Sequence, residues 1–89
     1  MNAYAKLARM TQPESLRSTE YQQWSRGRGI DVWATLCASI VGDLDTIRTL
    51  VARDRNLGNC EFEYFTPIRC SVRENHRAVV EFLLENGAG

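Results

Sequence analysis

Side chains able to do chemistry are few in this sequence. Its 89 residues include one histidine, His76, and three cysteines, Cys37, Cys60 and Cys70. A nucleophilic cysteine needs a base beside it, and a structural zinc site needs four ligands at a recognisable spacing. The cysteines form no Cys-x-x-Cys pair and the histidine stands alone, so neither requirement is met. The sequence therefore predicts no enzyme activity, no catalytic residue, no metal site and no cofactor.

Two other sequence patterns could have a chemical role, but each also has a simpler structural explanation. Residues 27–29, Gly-Arg-Gly, could cradle a phosphate, but no strand is predicted before them, so we interpret them as a linker. Glu61 with Glu63, and Asp43 with Asp45, are pairs of carboxylates only by spacing. The positive end of a helix explains Asp43 and Asp45 without any catalytic role.

The composition is that of a globular domain. Hydrophobic residues make up 44% of the chain, and its eleven basic and eleven acidic residues cancel. Nucleic acid is therefore the least favoured partner. If it did bind, it would contact Arg26 and Arg28 of the mildly basic segment 1–30. Three unpatterned cysteines favour a reducing compartment, and no signal peptide or membrane span is predicted. We expect a cytoplasmic protein.

The elements that position these residues are predicted to be helices. Residues 1–30 are expected to form a helical N-terminal segment with a linker at its end. Residues 3–10 are good helix formers, and Pro13-Glu14 is a favourable start for a second helix. That second helix would have a thin apolar stripe of Leu16, Tyr21 and Trp24.

Two pairs of short helices are predicted after this segment. Asp31 is expected to cap a helix over residues 32–41, which Gly42 ends in the left-handed conformation. Asp43 then caps a helix over residues 44–53. Such short helices are marginal in isolation, so they must bury their apolar stripes against each other and a neighbour.

The second pair repeats the first. Thr66 is expected to cap a helix that begins with Pro67 and runs to about Glu74. Asn75 then takes the place of Gly42 in the turn. His76 begins the last helix, and Gly87 ends it. Gly42 and Asn75 are 33 residues apart, and so are Cys37 and Cys70. A period of that length built from helix–turn–helix units indicates a stacked solenoid.

Residues 59–89 resemble an ankyrin repeat through Thr66-Pro67-Ile68-Arg69, Asn75-His76, Val79-Val80, Phe82-Leu83-Leu84 and Gly87-Ala88. Residues 31–58 are similar to a degenerate first repeat of that family. The resemblance implies an all-α, ankyrin-type solenoid over residues 31–89, whose second repeat is truncated. It also implies that His76 has a capping role at its helix start. Two positions depart from the family pattern, since Arg69 replaces a histidine and Tyr64 replaces a turn glycine.

The resemblance also implies a protein–protein interaction module that binds through its finger and the concave face of its first helices. The finger is residues 59–65. If it is extended, Glu61, Glu63 and Phe65 lie on one side and Cys60, Phe62 and Tyr64 on the other. The predicted binding residues are Glu61, Phe62, Glu63, Tyr64, Arg69 and Arg73.

Each part of this predicted site has a plainer alternative. Phe62 and Phe65 would then pack under the neighbouring repeat or the N-terminal helix. Arg69 and Arg73, four residues apart, would form a solvated helix face paired with Glu74 or Glu61 rather than a surface for an acidic partner.

The extent of the chain raises two expectations, because solenoids of this kind generally need about three or more repeats. We expect a fragment of a longer ankyrin protein, which could also be the non-catalytic part of a larger enzyme or effector. Otherwise an uncapped outer face with Val79, Phe82 and Leu83 would bind a partner or a second copy. The partner itself is an unidentified protein.

Overall fold

The computed structural model describes residues 11–88, so the helix predicted over residues 3–10 lies outside the described residues. Four helices dominate the fold, as the all-α prediction requires: α1 (Gly29–Val41), α2 (Leu44–Arg53), α3 (Pro67–Arg73) and α4 (Arg77–Glu85). Two 3-10 turns, Glu14–Arg17 and Arg55–Asn59, precede α1 and follow α2. A small antiparallel hairpin joins β1 (Tyr21–Gln22) to β2 (Gly27–Arg28).

The segment before α1 differs from the second helix that we predicted. After the 3-10 turn at Glu14–Arg17, the chain forms the hairpin, in which Tyr21 pairs with Arg28 and Gln22 with Gly27. The apolar stripe was too thin to hold a helix against the core, since a surface helix needs a broad apolar face. Leu16 is buried, whereas Tyr21 is 54% exposed and Trp24 is 91% exposed.

Residues 27–29 are also not a linker. Gly27 belongs to β2 and Gly29 opens α1, and both are buried. A Cβ on Gly27 would lie 2.6 Å from Leu57 Cδ2, and one on Gly29 would lie 2.9 Å from the carbonyl oxygens of Ser15 and Ser18. These glycines are therefore needed for the close approach of the hairpin and the first 3-10 turn to the helices.

Asp31 does not cap α1, because the helix begins two residues earlier and Asp31 lies in its first turn. Its buried carboxylate instead accepts hydrogen bonds from Arg28 Nε at 2.9 Å and Arg53 Nη2 at 2.8 Å. One carboxylate thus connects β2, the start of α1 and the end of α2.

The predicted helix ends are otherwise confirmed. Gly42 is left-handed at the end of α1, with φ of 81°, and the Asp43 side chain accepts a hydrogen bond from Thr46 N. Thr66 caps α3 through Arg69 N, and Pro67 is its first residue. Asn75, between α3 and α4, has φ of 59°, and Gly87, after α4, has φ of 92°.

The core of the described residues comprises two clusters. In the first, Leu16 packs with buried residues of α1, with Leu57 of the second 3-10 turn and with Cys60, which directly follows that turn. The second joins α2 to α4 through Ile47, Val51, Val79 and Leu83. Leu16 of the N-terminal segment is therefore an integral part of the core.

The three residues that we predicted on an uncapped outer face are not exposed there. Val79 and Leu83 are buried, and Phe82 is partly buried against the second cluster. The exposed apolar residues of the last helix pair are instead Val72 and Leu84, at 59% and 55%. Self-association through this end of the molecule stays a prediction.

All three cysteines are free and buried. Burial raises the pKa of Cys37 from its ordinary value near 9 to about 11. Burial likewise raises the pKa of Cys70 to about 12, and it raises that of Cys60 too. The thiols therefore stay protonated in the folded protein at neutral pH, which makes them poor nucleophiles.

Alkylation should therefore report folding. At a pH of about 9, an unfolded chain has a large thiolate fraction, whereas the folded protein keeps its thiols protonated until the pH approaches about 11. We expect iodoacetamide to modify the folded protein at least about tenfold more slowly than the urea-unfolded chain, measured by mass spectrometry. Equal rates in the two states would contradict the burial of these thiols.

Candidate partner-binding site

The tip of the finger, residues 59–65, is a tight turn rather than an extended strand. Phe62 and Phe65 exchange both backbone hydrogen bonds, at 3.0 and 2.8 Å. Between them, Glu63 and Tyr64 have φ of 49° and 71°, the two positive values of a type I′ turn. The predicted alternation of side chains is therefore wrong at this point, because the chain reverses where we expected it to continue.

This turn separates the aromatic residues into two groups. Phe62 and Phe65 are half-buried and pack against the first core cluster, which is the plainer of the two alternatives given above. Tyr64 is 80% exposed, and Glu63 beside it is exposed as well. Of the aromatic residues in the finger, Tyr64 is thus the one available to a partner.

The first groove, called the α3 groove here, lies between the finger tip and α3 and has a volume of about 570 Å³. Four predicted binding residues line it, together with three apolar ones: Glu63, Tyr64, Arg69 and Arg73, and Phe65, Ile68 and Val72. Arg69 Nη1 donates a hydrogen bond to the Tyr64 carbonyl oxygen at 3.2 Å, which fixes the finger turn to the helix. The sequence analysis did not select Val72. This residue lies in α3 among both polar and apolar residues, and nothing in the local sequence indicates that its side chain is exposed.

The second groove, called the hairpin groove here, lies on the other side of the finger and has a volume of about 500 Å³. The two remaining predicted residues, Glu61 and Phe62, line it, and Glu63 and Tyr64 border both grooves. Its opposite wall comes from the N-terminal segment and includes Trp24. Sequence reasoning missed Trp24 because it placed this residue on the apolar stripe of a helix.

A backbone hydrogen bond connects the two walls of the hairpin groove. Glu61 N donates to the Ser25 carbonyl oxygen at 3.0 Å, while Ser25 N and Arg26 N both donate to the Gln22 carbonyl oxygen. The hairpin turn is therefore closed internally and attached to the finger. A ligand in this groove would meet walls that are already in place.

The side chain of His76 does not have the capping role that the resemblance implied. It occupies the position before α4, but its side chain caps no backbone N–H there. Its Nε2 lies 2.8 Å from the Ile40 carbonyl oxygen, a hydrogen bond in which the ring nitrogen donates. The imidazole also covers Gly42, where an added Cβ would lie 2.5 Å from Nδ1. His76 therefore connects the turn before α4 to the end of α1.

Two wider properties of residues 11–88 bear on the kind of site. No group of three or more histidine, cysteine or acidic side chains in this part of the chain could hold a metal ion. None of the helices described is both long and apolar enough to cross a membrane.

The finger turn gives a direct prediction for Tyr64. A residue other than glycine in the left-handed region carries a strain of roughly 1–2 kcal/mol. We expect Tyr64→Gly to raise the free energy of unfolding by about 1 kcal/mol, measured by urea denaturation. Tyr64→Ala, which removes the same exposed ring but keeps the strain, is the control and should not stabilise. A loss of stability in the glycine variant would contradict the turn geometry.

No family model matches this sequence, and no solved structure matches it. The chain is similar to a curated protein described as a 60 kDa lysophospholipase of Mus musculus. The two are 42% identical over 52 residues, which is 58% of this chain and 9% of that protein. The chain therefore shares a segment with a small part of a much longer protein.

Proposed function

We propose that this chain is an ankyrin-type protein–protein interaction module. Its partner, a protein, would bind to the finger and to the exposed face of α3. The observation that carries this proposal is the α3 groove, where four of the six residues selected from the sequence line a single surface. The proposal assigns no catalytic role, no metal and no cofactor to the chain.

The chemistry of the α3 groove suits a protein partner. Phe65, Ile68 and Val72 give it an apolar floor, and Arg69 and Arg73 are exposed beside that floor. Interfaces typically combine a desolvated apolar centre with a polar rim, and tyrosine and arginine are the residues most enriched at their energetic centres. An acidic side chain of the partner would meet the two arginines.

The ankyrin assignment is supported by the local geometry of the two helix pairs. Gly42 and Asn75, 33 residues apart, both have positive φ, of 81° and 59°. The Thr66-Pro67 start of α3 has the cap that the motif implies, and a finger precedes it. The three free cysteines fit the reducing cytoplasm that we propose as its location.

Partner capture with matched variants tests the proposal. Val72, 59% exposed, lies in the α3 groove, whereas Val41, 63% exposed, ends α1 and lines neither groove. We expect Val72→Asp to remove partners that crosslink to the wild-type chain, and Val41→Asp to retain them, because a carboxylate desolvated on an apolar floor opposes binding. If Val72→Asp folds and retains every partner, the α3 groove is not the binding surface.

A second candidate is that the chain is a non-catalytic segment of a larger ankyrin-containing enzyme or effector. The 52-residue likeness to part of a 60 kDa lysophospholipase favours it. The 89-residue chain alone should then leave lysophosphatidylcholine intact, and the gene should continue in frame into a catalytic domain. Hydrolysis by the isolated chain would reject both candidates, and a stop codon directly after codon 89 would reject the second.

A further inference from the structure

The hairpin groove is bordered by two aromatic side chains that are unusually exposed. Trp24 is 91% exposed and Tyr64 is 80% exposed. A tryptophan on a folded surface normally buries most of its ring. Here the indole instead stands on the rim of a groove of about 500 Å³, opposite the finger. Exposed aromatic residues on the rim of a concave surface are typical of binding sites.

Within the described residues, two carboxylates of the same groove have no basic side chain as an ion-pair partner. Glu61 is half-buried and Glu63 is exposed, and both line the groove. Neither glutamate forms an ion pair with a basic side chain of residues 11–88. Among the described residues that line the groove, none has a basic side chain. The described part of its walls therefore combines aromatic faces with net negative charge.

These walls are fixed before any ligand binds. The Glu61–Ser25 backbone hydrogen bond connects the hairpin to the finger, and the type I′ turn holds Glu63 and Tyr64. Binding therefore needs little additional ordering of the protein backbone, which removes one of the main costs of recognition.

We infer that the hairpin groove binds an arginine side chain of the partner protein. A guanidinium group stacks on an aromatic face and is attracted by its negative quadrupole. Its planar array of N–H donors also matches a carboxylate, which a compact ammonium group does less well. Trp24 and Tyr64 supply the aromatic faces, and Glu61 and Glu63 supply the acceptors. This inference rests on the proposed function and specifies the chemistry of the partner.

The Trp24 indole N–H provides a site-specific readout in NMR spectra. Trp33, which is 8% exposed and buried in the core, is an internal reference in every spectrum. N-acetyl-arginine amide is the probe, and N-acetyl-citrulline amide, which has nearly the same shape but no charge, is its control. We expect a saturable shift of the Trp24 signal with the arginine probe and none with citrulline, while the Trp33 signal stays in place.

A pair of charge-matched variants separates a specific site from a general electrostatic effect. Glu61→Gln/Glu63→Gln should weaken binding of the arginine probe at least about fivefold, the loss expected when charged acceptors are replaced by neutral ones. Glu81→Gln/Glu85→Gln removes the same charge from exposed positions of α4 and should leave binding unchanged. Equal shifts with both probes, or equal weakening in both variants, would overturn the inference.

The inference and the proposed function can fail separately. If Val72→Asp abolishes partner capture while Glu61→Gln/Glu63→Gln leaves capture and probe binding intact, the arginine site is rejected and the interaction module stands. If the arginine probe binds as expected but no partner depends on either groove, the binding chemistry stands and the proposed function is rejected.

Discussion

Replacement of Leu16 by alanine is expected to lower the free energy of unfolding by about 2–5 kcal/mol. Leu16 is 1% exposed and belongs to the first core cluster with Leu36 and Leu57. The alanine variant loses the transfer free energy of the removed methyl groups and leaves a cavity between the N-terminal segment and α1. Urea denaturation followed by far-ultraviolet circular dichroism measures the change.

Trp24→Ala is the matched control, because it removes a larger side chain from the same segment. Trp24 is 91% exposed, so the free energy of unfolding should change by less than about 0.5 kcal/mol. A change for Leu16→Ala as small as that expected for Trp24→Ala would mean that the Leu16 side chain does not stabilise the core. The expected contrast would instead show that the folding unit begins before residue 31, where the sequence had placed the boundary between a linker and the first repeat.

Gly42→Ala is the second change with a large expected effect. Gly42 has φ of 81°, a conformation that costs a residue with a Cβ about 1–2 kcal/mol. The new Cβ would also lie 2.5 Å from His76 Nδ1, so the imidazole must move and its hydrogen bond to the Ile40 carbonyl oxygen must lengthen. We expect a total loss of about 2–4 kcal/mol, measured by the same denaturation experiment.

Gly58→Ala is the control for this prediction, since no atom of the described residues, its chain neighbours aside, lies within 4 Å of its added Cβ. It should change the free energy of unfolding by less than about 0.5 kcal/mol. The steric part can be isolated with His76→Ala, because the double variant Gly42→Ala/His76→Ala should lose less than the sum of the two single losses. Exact additivity would mean that the imidazole does not oppose the new methyl group.

The helix pairs could be predicted because their signals are local. Caps such as Asp43 and Thr66, and the positive-φ residues Gly42 and Asn75, act within one helical turn of the ends that they define. The predicted bounds of α2 match the structure at both ends, and those of α3 match to within about one residue. The start of α1 was missed because Asp31, a good cap by type, instead forms ion pairs with Arg28 and with Arg53, which is 22 residues away in sequence.

The N-terminal segment could not be predicted in the same way. Its hairpin is two residue pairs long and is stabilised by non-local contacts, such as that of Gly27 with Leu57. Nothing in residues 13–28 themselves distinguishes this arrangement from a short helix that begins at Pro13. The burial of Leu16 depends on the shape of the surface that the later helices provide.

The candidate site was predicted in its residues but not in its geometry. Glu61, Phe62, Glu63, Tyr64, Arg69 and Arg73 all lie at the two grooves beside the finger. The division into an acidic aromatic groove and a basic apolar one follows from the tight turn at Glu63 and Tyr64. That turn was hidden because neither residue is a glycine, the residue that usually signals such a reversal.

The same turn makes the chain a starting point for engineered binders. The side chains of Trp24 and Tyr64 project into solvent, while the backbone around them is closed by hydrogen bonds. A library randomised at these two positions would vary the recognition chemistry without changing the register of the scaffold. At position 64 the positive φ would enrich glycine and asparagine among clones selected for stability and exclude β-branched residues. An aromatic residue that survives there under selection for binding would therefore have been retained for its contact with the ligand.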